Sequence, residues 1–265
     1  RLEDINESKE WARVLAPIGA LFGIGIILLA LLMRQAQKKL SAAYSVISSS
    51  IDYASNIQRS LLPHDEDFSS AFAEHFVIWE PRDRVGGDIY WQCDWGEGEV
   101  LIVADCTGHG VPGAFMSIIA NSALEKALEE IEAGDVGGLI TRMHQGIQRT
   151  LRQDQLDGPS DDGLELGVCF LTPDRSQVIF SGGRFSLFVI DVSPEAEVLE
   201  IKGDRKGIGY RDIPFDQVFT SQIIEVRDGC GFYMSSDGLI DQVGGERRRS
   251  FGKKRFKAMI QNIRD

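Results

Sequence analysis

Three aspartates stand where an apolar run stops, each beside glycine. Asp88 lies in Arg84-Val85-Gly86-Gly87-Asp88-Ile89-Tyr90, Asp105 closes Val100-Leu101-Ile102-Val103-Ala104-Asp105, and Asp237 follows Gly231-Phe232-Tyr233-Met234-Ser235-Ser236. The flanking glycines are Gly86 and Gly87, Gly108 and Gly110, and Gly238. A carboxylate at the end of a buried strand, next to a turn that exposes backbone carbonyls, suits a hard divalent cation such as Mg²⁺ or Mn²⁺. Any single Asp-Gly is also an ordinary turn. Three strand-end sites in one chain are harder to read that way. Arg84, four residues before Asp88, presents a fork of donors matched to a phosphate, or is a solvated loop charge like Arg82. His109, between Gly108 and Gly110, suits a proton donor to a leaving alkoxide or an exposed turn residue.

Those residues need a frame to hold them. Periodicity predicts strands over 76–81, 88–95 and 99–105, then helices over 112–132 and 135–154. Strands follow over 164–172, 177–182, 185–191, 196–202, 218–226 and 230–236, and a last helix over 251–263. Strands in hairpin succession with the two long helices grouped together are the order of α+β layers, not of βαβ winding.

The 265 residues include 28 Lys or Arg and 40 Asp or Glu, a formal charge of −12. That surplus argues against a general nucleic-acid or anionic-lipid binder, which gains affinity by neutralising phosphates. With 43% apolar and 26% charged residues the composition is globular, so disorder is excluded as the main state. Cys93, Cys106, Cys169 and Cys230 form no C-x-x-C pair, and four free thiols suit a reducing compartment.

The average conceals a break. Residues 14–33 run without a charge, long enough at ~1.5 Å per residue to cross a hydrocarbon core of ~30 Å. Arg34, Lys38 and Lys39 follow directly, as in a stop-transfer anchor. Arg1, Lys9 and Arg13 balance them on the other side, so the positive-inside rule gives a tie, and the free thiols tip the C-terminal side towards the cytoplasm. Gly19 and Gly23 make a G-x-x-x-G spacing that lets two helices approach. Leu40, Tyr44, Ile47, Ile51, Ala54 and Leu61 then fall on alternating steps of four and three, with Gln58 as the polar seam position. This is a short coiled coil or one amphipathic helix lying on the next domain, and Pro63 ends it. Residues 1–13 read as the end of a charged helix entering the bilayer, part of a longer receptor. Near the far end, seven basic residues between Arg247 and Lys257 read as a solvated helix with Phe251 and Phe256 facing inward, or as a docking surface for an acidic phosphoprotein.

Taken in order, GGDIYW, ADCTGHGVPGAFM, DGLELGVCF, SGGR, GIG and SSDGLID resemble the SpoIIE-type branch of the PP2C-like (PPM) metal-dependent protein phosphatases. NIQRSLLP resembles the segment that joins a signalling helix to that domain, so the resemblance covers Asn56 to Asp265. It implies two packed antiparallel β-sheets flanked by helices, and release of phosphate from phosphoserine or phosphothreonine with two Mn²⁺ or Mg²⁺ ions. It implies that Asp105 bridges the metals, that the backbone carbonyl of Cys106 contributes to one, and that Asp88 and Asp237 complete the cluster. The nucleophile would be a water shared by the ions, with no covalent phosphoenzyme. Asp162, in Asp162-Gly163-Leu164-Glu165, falls where the family can hold a further metal, or is a loop acid before a strand.

Three departures stand out. Cys106 replaces a frequent Gly, Trp91 stands where a second acid often follows, and the family's terminal Asp-Asp strand has no counterpart before Asp265. Either the chain continues beyond Asp265 or one metal lacks a ligand. Related phosphatases act on small phosphorylated STAS-like regulators in partner switching, and the membrane-linked layout resembles SiaA-type biofilm regulators. The expected organisation is an extracytoplasmic end (1–13), a transmembrane helix (14–33), a linker helix (34–62) and a phosphatase domain (63–265). That describes a homodimer in the bacterial inner membrane with its catalytic domain in the cytoplasm. The alternative is a non-catalytic module that binds a phosphoprotein through an incomplete metal site. A reading of Gly86-Gly87-Asp88 as a GGDEF cyclase trace fails, because Ile-Tyr-Trp follows.

Overall fold

The computed structural model describes residues 2–155, 160–191, 193, 196–246 and 248–263; Arg1, Arg247 and Asp265, which enter the readings above, lie outside them. In chain order the elements are α1 (Leu2–Ser60), α2 (Asp65–Ala71), β1 (Ile89–Trp95), β2 (Gly98–Cys106), α3 (Gly110–Glu130), α4 (Val136–Leu151), β3 (Leu164–Leu171) and β4 (Gln177–Gly183). There follow β5 (Ser186–Ile190), β6 (Leu199–Lys202), β7 (Gln222–Glu225), β8 (Gly231–Tyr233), α5 (Asp237–Ile240), β9 (Val243–Gly244), β10 (Arg249–Ser250) and α6 (Gly252–Ile263).

The chain divides into two units, Arg1–Tyr53 and Ala54–Asp265. In the first, α1 is long and apolar enough to cross a membrane, and Phe22, Ile26, Leu29 and Met33 are exposed along it. A Cβ on Gly19 or Gly23 would meet nothing within 4 Å, so that face is open. Leu40, Tyr44 and Ile47 of the heptad seam are exposed as well.

The second unit is a layered α+β sandwich. Its larger sheet has the order β1-β2-β3-β4-β7 and its smaller one β6-β5-β8, with every pairing antiparallel. Strand alternation explains the layers, since successive side chains leave opposite faces. In β2 every second residue is buried. Val100, Ile102 and Ala104 pack with Leu166, Val168 and Phe170 of β3 against Ala120 and Leu124 of α3 and Leu139, Ile140 and Met143 of α4. The other face of that sheet, through Cys169, Val178 and Phe180, meets Leu187 and Val189 of β5. The alternate β5 residues Phe188 and Ile190 meet Phe256 and Ile260 of α6. Helices, sheet, sheet and helix therefore follow in order. Each fully buried side chain such as Ile102, Phe180 or Leu187 contributes about 1.5–3 kcal/mol.

The basic run serves this packing. Lys253 and Lys257 reach Glu200 of β6 at 2.8 and 3.1 Å, while Phe256 turns inward. Four expected strands change, the one over 196–202 starting only at Leu199. Residues 76–81 join no ladder among the described residues; the Phe76 ring lies 6.1 Å from that of Tyr233, and the Trp79 indole donates to the Asp88 carbonyl instead. The strand expected over 218–226 shortens to β7, because the Asp204 carboxylate captures the Thr220 N–H and hydroxyl. The strand expected over 230–236 ends at Tyr233, and Ser236 becomes the N-cap of α5.

Candidate metal centre

Asp105 lies on β2, one residue from its end. Alternation turns it away from the helix-facing Ala104 and Cys106, to the side on which Leu101 meets the smaller sheet. Asp88 heads β1 instead of closing a strand, and Asp237 is the first residue of α5. The loops carrying them interlock at glycines. A Cβ on Gly87 would meet the carbonyls of Cys106 and Gly108, both at 2.7 Å, and one on Gly113 would meet Gly108 O at 2.5 Å. Ser236 Oγ donates to Asp88 Oδ2 at 2.6 Å, tying the start of α5 to the start of β1.

These constraints converge. The Asp105 carboxyl lies within hydrogen-bonding reach of those of Asp88 and Asp237, and burial, then the charges of Asp88 and Asp237, push it up to about 8. Three carboxylates so close repel unless a proton or a cation sits among them. Among the described residues no three His, Cys, Asp or Glu side chains are placed as a group that would hold a metal ion as they stand. Asp88 and Asp237 both act on the Asp105 carboxyl. The trio's all-oxygen donor set, with the Cys106 carbonyl facing Gly87, fits a hard divalent ion. Burial pushes the Cys106 thiol well up, so at neutral pH that residue offers its carbonyl and not a thiolate.

The other expected residues fall around this point in different ways. Arg84 is exposed on the loop before Asp88, and its carbonyl accepts from Ser55 Oγ at 2.7 Å. Asp162 is held by its backbone, which exchanges two 2.7 Å hydrogen bonds with the Gln153 carboxamide; the carboxylates acting on Asp105 are those of Asp88 and Asp237. His109 is the exposed N-cap residue of α3, its Nδ1 3.2 Å from Asp83 Oδ2. Trp91 is on the helix side of β1, where its indole donates to Asn121 Oδ1 at 2.7 Å. Trp91 thus packs on the side of β1 that faces the helices.

Several neighbours were not singled out from sequence. Glu165 pairs with Asp105 across the β2–β3 ladder, and Arg184 holds it at 3.4 Å. Burial raises the Glu165 carboxyl, Arg184 opposes the rise, and Asp237 adds to it. Thr107 Oγ1 lies 3.1 Å from the Tyr210 hydroxyl. His144, Gln148 and Gln153, and with them Gln58, already marked as the polar seam residue of α1, are buried polar residues that brace the surrounding loops. For Gln58, His144 and Gln148 the signal in the sequence is a polar side chain on an otherwise apolar helix stripe, whereas Gln153 lies past the end of α4. A cleft of about 490 Å³ lies elsewhere, lined by Arg59, Pro63, Ile78, Trp79 and Tyr90, and carries none of the three aspartates.

The family model described as Stage II sporulation protein E (SpoIIE) matches residues 96–265. Among solved structures the chain is similar to the SiaA-PP2C domain of Pseudomonas aeruginosa, at 35% identity over 83% of this chain and 84% of that one, with a TM-score of 0.73. It shares a fold with the RsbU and RsbW domains of a Mycobacterium tuberculosis protein, at 18% identity over 71% of this chain and 48% of that one, with a TM-score of 0.53. No curated protein matches the chain in sequence.

Proposed function

The chain belongs to the SpoIIE family of PP2C-type phosphatases, metal-dependent enzymes that act on phosphoserine and phosphothreonine, and we propose that it dephosphorylates a small STAS-like phosphoprotein in a partner-switching pathway. One observation carries the reading: Asp88, Asp105 and Asp237 come from three separate elements and meet around Asp105. In this reading Asp105, as the central ligand, would hold two Mn²⁺ or Mg²⁺ ions together with Asp88, Asp237 and the Cys106 carbonyl, and Asp162 would be the candidate ligand for a further ion. The ions would supply activation of water at neutral pH and a counter-charge to the phosphate.

The chain's own groups do the rest. Ser236 holds Asp88 by the 2.6 Å hydrogen bond, which fixes one wall of the site. The Arg84 guanidinium would grip the non-bridging oxygens of the incoming phosphate. Water oxygen bonds to phosphorus as the bond to the serine oxygen breaks, one of the water's protons ends on the serine oxygen, and the other leaves with the released phosphate.

The span at 14–33 would anchor the protein in a bacterial inner membrane, with 1–13 outside, 34–62 as linker and 63–265 catalytic in the cytoplasm. The open G-x-x-x-G face and the exposed Leu40, Tyr44 and Ile47 support a homodimer. Biofilm control is the proposed output, by likeness to SiaA. The deciding assay is phosphate release from a phosphoserine STAS-type protein with and without Mn²⁺, comparing the full chain in micelles with Asp105→Ala and Asp237→Ala. Loss of Mn²⁺-dependent release in both is expected; activity surviving both sinks the metal site. No release from the full chain would favour the non-catalytic binding module.

A further inference from the structure

Gln58 sits on the apolar stripe of α1 and is only 1% exposed. A buried carboxamide left unpaired costs roughly 1–3 kcal/mol, so the destination of its hydrogen bonds is informative. All three lead to the ground beneath Asp88. Nε2 donates to Gly86 O at 2.7 Å and to Ser117 Oγ at 3.0 Å, and Oε1 accepts the Gly86 N–H at 3.1 Å. One carboxamide therefore satisfies both backbone groups of a single glycine and ties that glycine to α3. Ser117 passes the connection on, its hydroxyl donating to Ala114 O at 2.8 Å. One turn earlier, Ser55 Oγ holds the Arg84 carbonyl.

The held glycine has little freedom to relax. A Cβ on Gly86 would meet Pro81 Cβ at 2.9 Å, and the next residue, Gly87, is pressed against the carbonyls of Cys106 and Gly108. Gly113 of α3 closes against Gly87 N from the other side, at 2.9 Å from a Cβ placed there. A displacement at Gly86 thus passes through Gly87 to Asp88 and to the carbonyls beside Asp105.

We infer that Gln58 is a positioning residue for the metal centre: its carboxamide clamps Gly86 between α1 and α3 and thereby sets the place of the Asp88 carboxylate against Asp105. This rests on the metal reading of the three aspartates. An ordinary structural glutamine would cost stability when replaced but would leave the cation affinity of the folded protein unchanged.

Gln58→Met keeps the length and bulk of the side chain and removes all three hydrogen bonds. Binding of Mn²⁺ alone is measured by titration calorimetry on the full chain in detergent micelles, well below the melting temperature, which is recorded for each variant. The control is Gln148→Met, equally buried and donating to the Tyr210 and Ile213 carbonyls at 2.7 and 2.8 Å. Gln58→Met is expected to weaken Mn²⁺ binding by about 10–100-fold, the range for changes behind a metal ligand, while Gln148→Met binds as the wild type does. Wild-type affinity in Gln58→Met, or equal weakening in both variants, overturns the inference. If Asp105→Ala still abolishes binding, the metal reading survives that outcome. If the wild type binds no Mn²⁺ and Asp105→Ala changes nothing, the metal reading falls and takes the inference with it. Should Gln58→Met fail to fold, Ser117→Ala removes one of the three partners and is expected to weaken binding several-fold; unchanged affinity there overturns the inference.

Discussion

Replacing Asp105 by Asn should stabilise the protein in chelator and abolish its response to Mn²⁺. Burial and the charges of Asp88 and Asp237 lift the Asp105 carboxyl from 3.8 to about 8. That is about four factors of ten in proton affinity, which at ~1.4 kcal/mol each sets a ceiling of ~6 kcal/mol on the strain of ionising it. Asp105 is only half-buried and water screens the repulsion, so about 1–2 kcal/mol is the working figure. The folded pKa lies above the unfolded one, so the stability linked to this group is full below about pH 4 and is lost as pH rises to about 8. Asn does not titrate. Its advantage is therefore small near pH 4 and complete above pH 8, where about 1–2 kcal/mol amounts to a melting-temperature gain of about 2–8 °C for a domain of this size. Melts of the full chain in micelles with EDTA, at pH 4.5 and 8.5, read this difference. Added Mn²⁺ should then raise the wild-type melting temperature by preferential binding to the folded state and leave Asp105→Asn unmoved. A variant that melts below the wild type in EDTA at pH 8.5, or that still responds to Mn²⁺, would refute the reasoning.

Three further outcomes follow from named contacts. Gly113→Ala should lower the melting temperature, because its methyl would meet Gly108 O at 2.5 Å and Gly87 N at 2.9 Å, outweighing the ~1 kcal/mol that Ala gains over Gly in a helix; a stabilised variant would contradict the interlock of the loops. Arg84→Ala should raise KM for the phosphoprotein about tenfold or more, the worth of a charged hydrogen bond, and leave Mn²⁺ affinity alone; an unchanged KM removes Arg84 from the phosphate site. His144 accepts the Gly209 N–H at Nδ1 and donates from Nε2 to Pro214 O, and burial lowers its pKa. The stability it contributes is present above pH ~6.5 and is lost as pH falls through its lowered folded value. Urea titrations at pH 7.5 and 5.5 should show a smaller acid loss in His144→Phe than in the wild type, and equal losses would dismiss the buried neutral imidazole.

The layered fold was legible because its signal is local. In β2 the burial alternates at every residue, and the alternation is visible in the chain before any partner strand is known. The three aspartates were legible as strand-margin carboxylates with glycine beside them. Gln58 shows where such reading stops. Its heptad position marked it as the polar member of a helix seam, yet in the structure it is covered by Gly86 and Ser117. Periodicity reports which face of a helix is apolar and is silent on what covers that face. Residues 76–81 carry the same lesson: an apolar run met by a ring and an indole hydrogen bond instead of a ladder. Glu165 and Arg184 escaped notice because their relevance comes from strand register, Asp105 lying opposite Glu165.

From the chain alone came the apolar span, the α+β order of elements and the chemical type of each acid, since hydropathy, period and side-chain chemistry belong to residues and their near neighbours. Convergence was decided by packing. Asp88, Asp105 and Asp237 meet because an antiparallel sheet sets β1 beside β2, a second sheet delivers α5 to the same end, and glycines at 87, 108 and 113 let the loops close without a side chain between them. Bringing like charges together opposes folding locally, so their meeting reflects the stability of the surrounding sandwich.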